Sequence, residues 1–413
     1  MKAVILAAGK GTRLEPLTNT MPKCMLPLAG KPILEHIVLA MRGAGITDIV
    51  MVVGYRSEDI MTYFGDGADY GVKLSYVTQE EKLGTAHALS MARMEEDFLA
   101  LNGDTLISSQ TLMEVLRFHE GSATLALKRM DDPRNYGAVV LEGNRVMKLV
   151  EKPEKKISTL INAGIYAFSP EIFDVIRKTE KSERGEYELT SSINRLIDGG
   201  NPPIGVEIKG LWEDVGTPWN HLDANHAALD SMEGSIQSEA EDNVKIKGSL
   251  SLGENSIIRS GCYIEGPVFI GDDCVIGPNA YLRAYTTIGK GCKIGNGVEV
   301  KNSIIMDNTK VPHLSYVGDS VIGRNCNLGA GTKVGNLRMD EGMVKMRVKG
   351  ELVNTGRKKL GCVIGDNVKT GLNVMINAGR KIGQSSLIGP GVIVYSDIKA
   401  GSVVLKKQEL EMR

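Results

Sequence analysis

The chain has 413 residues, a length that suggests two domains. Its 49 Lys and Arg nearly cancel its 50 Asp and Glu, so no global field draws it toward nucleic acid or a membrane surface. No apolar run is long enough to span a bilayer, and no basic segment with a long apolar core opens the sequence, so we expect a cytoplasmic protein with no nucleic-acid and no membrane partner.

Lys2–Leu6 is a short apolar run with β-branched residues and reads as a buried strand. It opens into Ala7-Ala8-Gly9-Lys10-Gly11-Thr12-Arg13, where glycine lets the backbone approach closely and turn its N–H groups on an anion. Neither a Walker loop nor the dinucleotide GxGxxG is present. Arg13 and, further on, Lys23 add the side-chain cations that successive phosphates require. The string continues as Leu14-Glu15-Pro16-Leu17-Thr18, Met21-Pro22-Lys23, Leu26-Pro27 and Lys31-Pro32. As a whole it resembles the signature of the sugar-1-phosphate nucleotidylyltransferases. The resemblance implies that Ala8, Gly9, Gly11 and Thr12 hold the nucleotide, and that Arg13 and Lys23 act catalytically on its phosphates.

Further strands are expected at Asp48–Val53, Lys73–Tyr76, Phe98–Leu101 and Ala123–Lys128, and helices at Pro32–Arg42, Ser57–Phe64, Thr85–Met94 and Ser109–His119. The alternation argues a mostly parallel, doubly wound α/β sheet with ligands beyond the carboxyl ends of its strands. Gly84-Thr85 opens the third helix, with Thr85 a suitable N-cap. In the resembling family this segment meets the base, which assigns Gln79, Gly84 and Thr85 to the nucleotide. Its form is closer to the uridylyl enzymes than to the guanylyl or adenylyl ones.

Phe98–Leu101 runs into Asn102-Gly103-Asp104. An Asp there is in itself an ordinary turn residue. The resemblance makes Asp104 a Mg²⁺ ligand, with Asp214 in Leu211–Thr217 as the second carboxylate. Between them, Tyr136-Gly137, Glu151-Lys152-Pro153 and Asn162-Ala163-Gly164-Ile165-Tyr166 match the family's sugar elements. Tyr136, Gly137, Glu151, Lys152 and Asn162 are therefore expected on the sugar phosphate. Glu186-Tyr187-Glu188-Leu189-Thr190 also fits the pattern, without a role. The implied reaction is attack by a sugar-1-phosphate oxygen on the α-phosphorus of UTP or dTTP, with pyrophosphate leaving.

Pro218–Met232 reads as a helix on which His221 and His226 are surface or packing residues. The expected organisation is a nucleotidyltransferase domain over 1–230 that includes this helix, a linker over 231–243, a repeat domain over 244–405 and a tail over 406–413. In the repeat domain Ile246, Leu252, Ile258, Ile264, Ile270, Ile276, Leu282, Ile288, Ile294 and Val300 recur every six residues. The phase shifts after Val300, resumes at Ile322, Leu328 and Val334, and again at Ile364, Ile376, Ile382, Ile388 and Val394. A helix cannot use that period, and a flat strand needs two. Short flat faces, each with one apolar residue turned inward, satisfy it, which is the hexapeptide β-helix class; it resembles the left-handed parallel form. Cys262, Cys274, Cys292, Cys326 and Cys362 share one phase, two residues before an inward position, and read as small core fillers. With Cys24 they form no CxxC pair and no metal spacing.

Breaks in a solenoid are where chain excursions reach a neighbouring face or subunit. The first break, Lys310–Asp319, resembles the acetyltransferase half of the bifunctional glucosamine-1-phosphate acetyltransferase/N-acetylglucosamine-1-phosphate uridylyltransferases. Arg283, Lys301, Tyr316, Asn327, Ala330 and Asn336 match at one constant spacing. The resemblance implies His313 as general base for an amine attacking acetyl-CoA and the Ala330 N–H as oxyanion donor. It places Arg283 and Lys301 on the sugar phosphate, Tyr316 and Asn336 on the sugar, and Asn327 among the substrate residues. It also implies a homotrimer about the coil axis, with acetyl-CoA as co-substrate between subunits.

In the second break, 337–362, Val344, Met346 and Val348 alternate with basic residues, which reads as a strand ending in a turn at Gly350-Glu351. Its basic excess is either a solvated hairpin or a contact to phosphates of coenzyme A or the sugar, with Lys345 the better candidate. This insertion is closer to archaeal sugar-1-phosphate nucleotidylyltransferase/acetyltransferases than to bacterial ones. Two other readings stay open: a mannose-1-phosphate guanylyltransferase whose β-helix is a non-catalytic oligomerisation or regulatory module, and a glucose-1-phosphate thymidylyl- or uridylyltransferase.

Overall fold

A computed structural model describes residues 1–134 and 136–407, so most of the 406–413 tail lies outside the described residues. Its contacts divide the chain into two compact units. One comprises Met1–Lys10, Pro22–Met25 and Ile33–Glu213; the other takes Gly11–Met21, Leu26–Pro32 and the chain from Asp214 onward.

In the first unit, the strand Lys2–Ala7 sits between Asp48–Val53 and Phe98–Asn102, both parallel to it. Ala3, Val4 and Ile5 are fully buried there, as a strand covered on both faces requires. Lys73–Thr78 adds a further parallel strand, and the helices Ile33–Gly43, Ser57–Phe64, Thr85–Ser90 and Ser109–Arg117 form the crossovers. Beyond Phe98–Asn102 the expectation of a mostly parallel sheet is corrected. Leu160–Phe168 runs antiparallel to it, and Gly137–Glu142 with Arg145–Glu151 form a hairpin, so the nine-stranded sheet is mixed. The reason is local: two residues connect the hairpin strands, and a parallel return needs a much longer crossover.

In the second unit, the helix Pro218–Asp230 starts at Thr217, whose hydroxyl accepts from Asn220 N at 3.3 Å. The coil follows. Its strands, two to four residues each, take three parallel sheets of 8, 9 and 8 strands in rotation. Each strand pairs with the strand one coil on, as in Ile258↔Ile276 and Ile276↔Ile294. This is the topology of a parallel β-helix, and the inward residues from Leu252 to Val394 share one core. The first coil strands, Ser235–Ile236 and Glu239–Ala240, lie in the stretch read from sequence as linker.

The cysteines of the repeat fill that core, and their thiols donate to main-chain carbonyls: Cys274 to Gly289 at 3.1 Å and Cys326 to Gly365 at 3.2 Å. The supposed first break is not a break. Lys310–His313 and Tyr316–Gly318 continue the ladders, with Val311 opposite Ile294 and Val317 opposite Val300. The phase shifts because a corner loses one residue between Val300 and Ile305, both of which still point into the core. The second break is a true excursion, a hairpin of Lys345–Val348 and Glu351–Asn354 with Val344, Met346 and Val348 buried. Among the described residues, no helix is long and apolar enough to cross a membrane.

Candidate active sites

The strand Lys2–Ala7 delivers Ala8, Gly9 and Gly11 to a turn. A side chain at Gly9 would meet nothing, whereas Gly11 adopts φ 74°, a left-handed conformation that costs glycine least. The Gly11 carbonyl accepts from Leu14 N and from Thr18 Oγ1, both at 2.9 Å, which closes the loop around Thr12 and Arg13. Arg13 lies with Asp214 at Gly216. A Cβ there would stand 2.6 Å from Asp214 Oδ2 and 3.4 Å from an Arg13 nitrogen, so only glycine leaves room for both side chains.

Lys23, nearly buried, pairs its ammonium with Asp104 Oδ2. Asp104 owes its place to Gly103, whose N–H donates to Leu6 O at 2.9 Å and whose missing side chain would press on Ala7. A carboxylate offering oxygen donors beside a lysine is chemistry suited to Mg²⁺ and phosphate together, and Asp214 supplies the same hard oxygen donor.

Gln79 is buried. Its amide meets His87 Nδ1 at 2.9 Å and donates to Gly84 O at 3.2 Å. The expected N-cap at Thr85 is corrected. Gly84 is the capping residue, with no side-chain cap bond, and Thr85 Oγ1 instead accepts from Leu189 N at 3.0 Å. The Glu186–Thr190 segment thus acquires a structural part: Tyr187 N donates to Leu83 O at 2.7 Å, and Ala86 N donates to Tyr187 O at 2.9 Å. Pairing with a segment so distant in sequence outbids a local cap.

The sugar residues converge on three neighbouring strands. Gly137 faces Glu151 across the hairpin, and a Cβ on it would meet Glu151 Oε2 at 3.3 Å and Asn162 Cβ at 3.6 Å. Lys152 N donates to Tyr136 O at 3.0 Å, and the Tyr136 ring meets Trp212 edge-on at 6.2 Å. Asn162 donates to Tyr166 Oη at 2.7 Å and accepts from Gly164 N at 3.1 Å. Burial pushes the Tyr166 phenol well above its usual range, so it stays protonated. Gly164 packs against Asn102, two residues before Asp104, because Ile165 lies opposite Leu101. Arg184, which the sequence does not point to, steadies this strip with Glu188 of the segment that had no role: it lies 3.5 Å from Glu151 and 2.7 Å from buried Glu188. A surface-type Arg-Glu pair carries no signal in sequence.

On the coil, one face brings together Arg283, Lys301, Tyr316 and Asn336. Arg283 pairs with Glu299 at 3.0 Å and lies over the Tyr281 ring. Lys301 reaches Asp319 at 3.4 Å; Asn336 donates to the same carboxylate and to Tyr316 Oη at 3.0 Å. Asn302 donates to the other oxygen at 2.6 Å. Asp319, 3% exposed, is the hub of this cluster and was not singled out from sequence, where it looks like any corner residue. Burial and then Asp319 raise the Tyr316 phenol.

His313 is exposed at a corner, directly below Ala330: Gly331 N donates to His313 O at 3.2 Å. Asn327 lies outward on the face before that corner, in register with Lys310, and so is not joined to the Arg283 cluster within the chain. Lys345 is exposed on the hairpin. Of the two histidines on the helix Pro218–Asp230, His221 is wholly buried, with Nε2 2.8 Å from Pro27 O, and His226 contacts Asn302 and stacks on Tyr285.

A strand-fed glycine loop with a part-buried Lys-Asp pair, ahead of a parallel coil, defines a nucleotidyltransferase with an appended repeat domain. The nucleotidyl transferase family model matches residues 2–231, and a model described as GMPPB C-terminal domain matches 264–380. Bifunctional protein GlmU of Methanococcus maripaludis strain C7 is 48% identical over 99% of this chain and 98% of its own. The bifunctional sugar-1-phosphate nucleotidylyltransferase/acetyltransferase of Sulfurisphaera tokodaii is 44% identical over 97% of this chain and 99% of its own. A solved Bacillus anthracis chain, provisionally assigned as a glucose-1-phosphate thymidylyltransferase, is similar with a TM-score of 0.52 and 30% identity, over 57% of this chain and 98% of that one. The chain belongs to the bifunctional sugar-1-phosphate nucleotidylyltransferase/acetyltransferase family, and it is an enzyme.

Proposed function

We propose that the chain makes UDP-N-acetylhexosamine in two steps. The part over 244–405 acetylates glucosamine-1-phosphate, or galactosamine-1-phosphate, from acetyl-CoA. The part over 1–230 moves the uridylyl group of UTP onto N-acetylglucosamine-1-phosphate and releases pyrophosphate. The observation that carries this is similarity to bifunctional relatives over both halves of the chain.

In the uridylyl step, Ala8, Gly9, Gly11 and Thr12 hold the triphosphate, and Arg13 and Lys23 neutralise it. Gln79, Gly84 and Thr85 read the base. Tyr136, Gly137, Glu151, Lys152 and Asn162 orient the sugar phosphate, whose oxygen attacks the α-phosphorus. Asp104 and Asp214 would hold Mg²⁺, which supplies further charge neutralisation. In the acetyl step, the substrate amine attacks the thioester carbonyl, the thiol of coenzyme A leaves, and His313 takes the amine proton. Ala330 N–H steadies the oxyanion. Arg283 and Lys301 hold the sugar phosphate, Tyr316 and Asn336 the sugar, and Asn327 and Lys345 contact substrate or coenzyme A. The coil is left-handed, three chains assemble about it, and the enzyme works in the cytoplasm.

The second reading makes the first half a thymidylyltransferase, which the Bacillus anthracis likeness favours. Turnover with UTP against dTTP separates the two. The acetyl half is tested by thiol release from acetyl-CoA with glucosamine-1-phosphate, using glucose-1-phosphate and His313→Ala as controls. Release that needs the amine and is lost in the variant is expected. No release with either amino-sugar phosphate, from protein that still makes a nucleotide sugar, would reduce the coil to a scaffold.

A further inference from the structure

The loop that carries Arg13 is held by the coil. Lys381 Nζ donates to Glu15 O at 2.8 Å, Arg324 Nη2 donates to Thr20 O at 3.1 Å, and Asn19 Nδ2 donates to Gln384 Oε1 at 3.2 Å. All six residues belong to the second compact unit. Arg324, Asp366 and Gln384 occupy equivalent corners on successive coils, each two residues after an inward isoleucine at 322, 364 and 382. Asp366 is 4% exposed; it accepts from Arg324 N at 2.7 Å and from Arg324 Nε at 2.9 Å, so the guanidinium is fixed before it reaches Thr20. Lys381 is anchored in turn, its N–H on Asp397 Oδ1 at 2.9 Å.

Two main-chain carbonyls of the signature loop thus take their donors from side chains more than three hundred residues away in sequence. Buried carbonyls need such donors, and a loop whose carbonyls are held loses conformational freedom. The loop's own closure, through Gly11 and Thr18, fixes its shape but not its place. Resting on the assignment of Arg13 to the phosphates, we propose that Lys381, Arg324 and Gln384 are positioning residues for nucleotidyl transfer, coil side chains that set the place of Arg13 through the backbone of residues 15–20. The coil is then part of the first reaction's apparatus as well as the seat of the second. Partial burial of Lys381 draws its ammonium down to about 8, in keeping with a donor turned onto the protein.

The test is steady-state kinetics of both reactions in the full chain. The variants are Lys381→Met combined with Arg324→Gln, Lys381→Gln alone, and Arg13→Ala. We expect the double variant to raise KM for the nucleotide about tenfold, the change 1.4 kcal/mol makes, with a smaller effect on kcat. Acetyl transfer should stay within about twofold of the parent, since its residues lie elsewhere. Lys381→Gln keeps a donor for Glu15 and should recover most of the loss. Amide exchange in the peptide covering residues 11–21 should quicken in the double variant alone. Parent-like nucleotide kinetics in the double variant, beside an inactive Arg13→Ala, would overturn the proposal and leave the phosphate assignment standing. Equal loss of both activities with a lowered Tm would overturn it too, as simple destabilisation. A fully active Arg13→Ala would remove the assignment itself, and this inference with it.

Discussion

One repeat builds the whole coil, yet two of its faces turn opposite surfaces outward. On the face of strands 286–288, 304–305, 321–322 and 363–364, the outward positions are Thr287, Ile304, Val321 and Val363, none more than 1% exposed. On the next face, the equivalent positions are Lys293, Lys310, Asn327 and Lys369, all exposed. Inward, both carry aliphatic residues, isoleucine throughout on the first and Ile294, Val311 and Leu328 on the second, apart from Thr370. The inward residue therefore decides the backbone, and the alternate residue decides what the face is for. The buried face is also where non-coil segments meet the coil: a side chain at Gly30 would strike the Phe269 ring, Asn225 accepts from Thr287 at 2.8 Å, and Lys381 holds Glu15.

The comparison breaks most sharply with a charge on the closed face. Val321→Lys should cost about 4 kcal/mol or more in urea unfolding of the full chain, because the ammonium has neither partner nor water. A loss below a quarter of that would show the face to be open. Next comes the third face, where Asp319→Ala strands Lys301, Asn302 and Asn336 at once. We expect about 3 kcal/mol of destabilisation, together with a raised KM for the amino-sugar phosphate and unchanged nucleotide kinetics.

His221 sharpens the comparison by pH. It sits fully buried against Pro27, and burial holds its pKa near 4 against the ordinary 6.5, so the folded chain keeps it neutral while the unfolded chain takes up a proton. Stability is then unaffected above pH 6.5 and falls as pH drops from 6.5 toward 4. His221→Gln should remove roughly 3 kcal/mol of that acid sensitivity, read as the difference between the two pH profiles. The smallest effect belongs to the open face: Lys369→Ala should stay within about 0.5 kcal/mol of the parent.

Much of this was legible from the sequence. The six-residue period names the inward residues, and the alternation at 344–348 names the hairpin, because both are set by local geometry. The closed face was in plain sight too, in the apolar pairs Ile304-Ile305, Val321-Ile322 and Val363-Ile364. It could not be read, because the face to which a pair belongs depends on counting coils through a shortened corner. Thr85 shows another limit: its hydroxyl suits a cap, but a partner at Leu189 wins, and nothing local announces it. Asp319 and Glu188 are buried acids whose value lies wholly in what folds onto them. The mixed sheet has the same origin, since strand direction is settled by connections whose path the apolar pattern does not record.

The buried thiols have a use of their own. Cys262, Cys274, Cys292, Cys326 and Cys362 are spaced along the coil, each about 1% exposed or less, and burial lifts Cys326 and Cys362 to about 12. Almost none of either is thiolate in the folded chain, so an alkylating reagent must wait for the coil to open around it. Repeats that touch only their neighbours open from their ends. Labelling followed site by site then acts as a row of clocks, native to the sequence, that times the fraying of a solenoid without a single introduced probe.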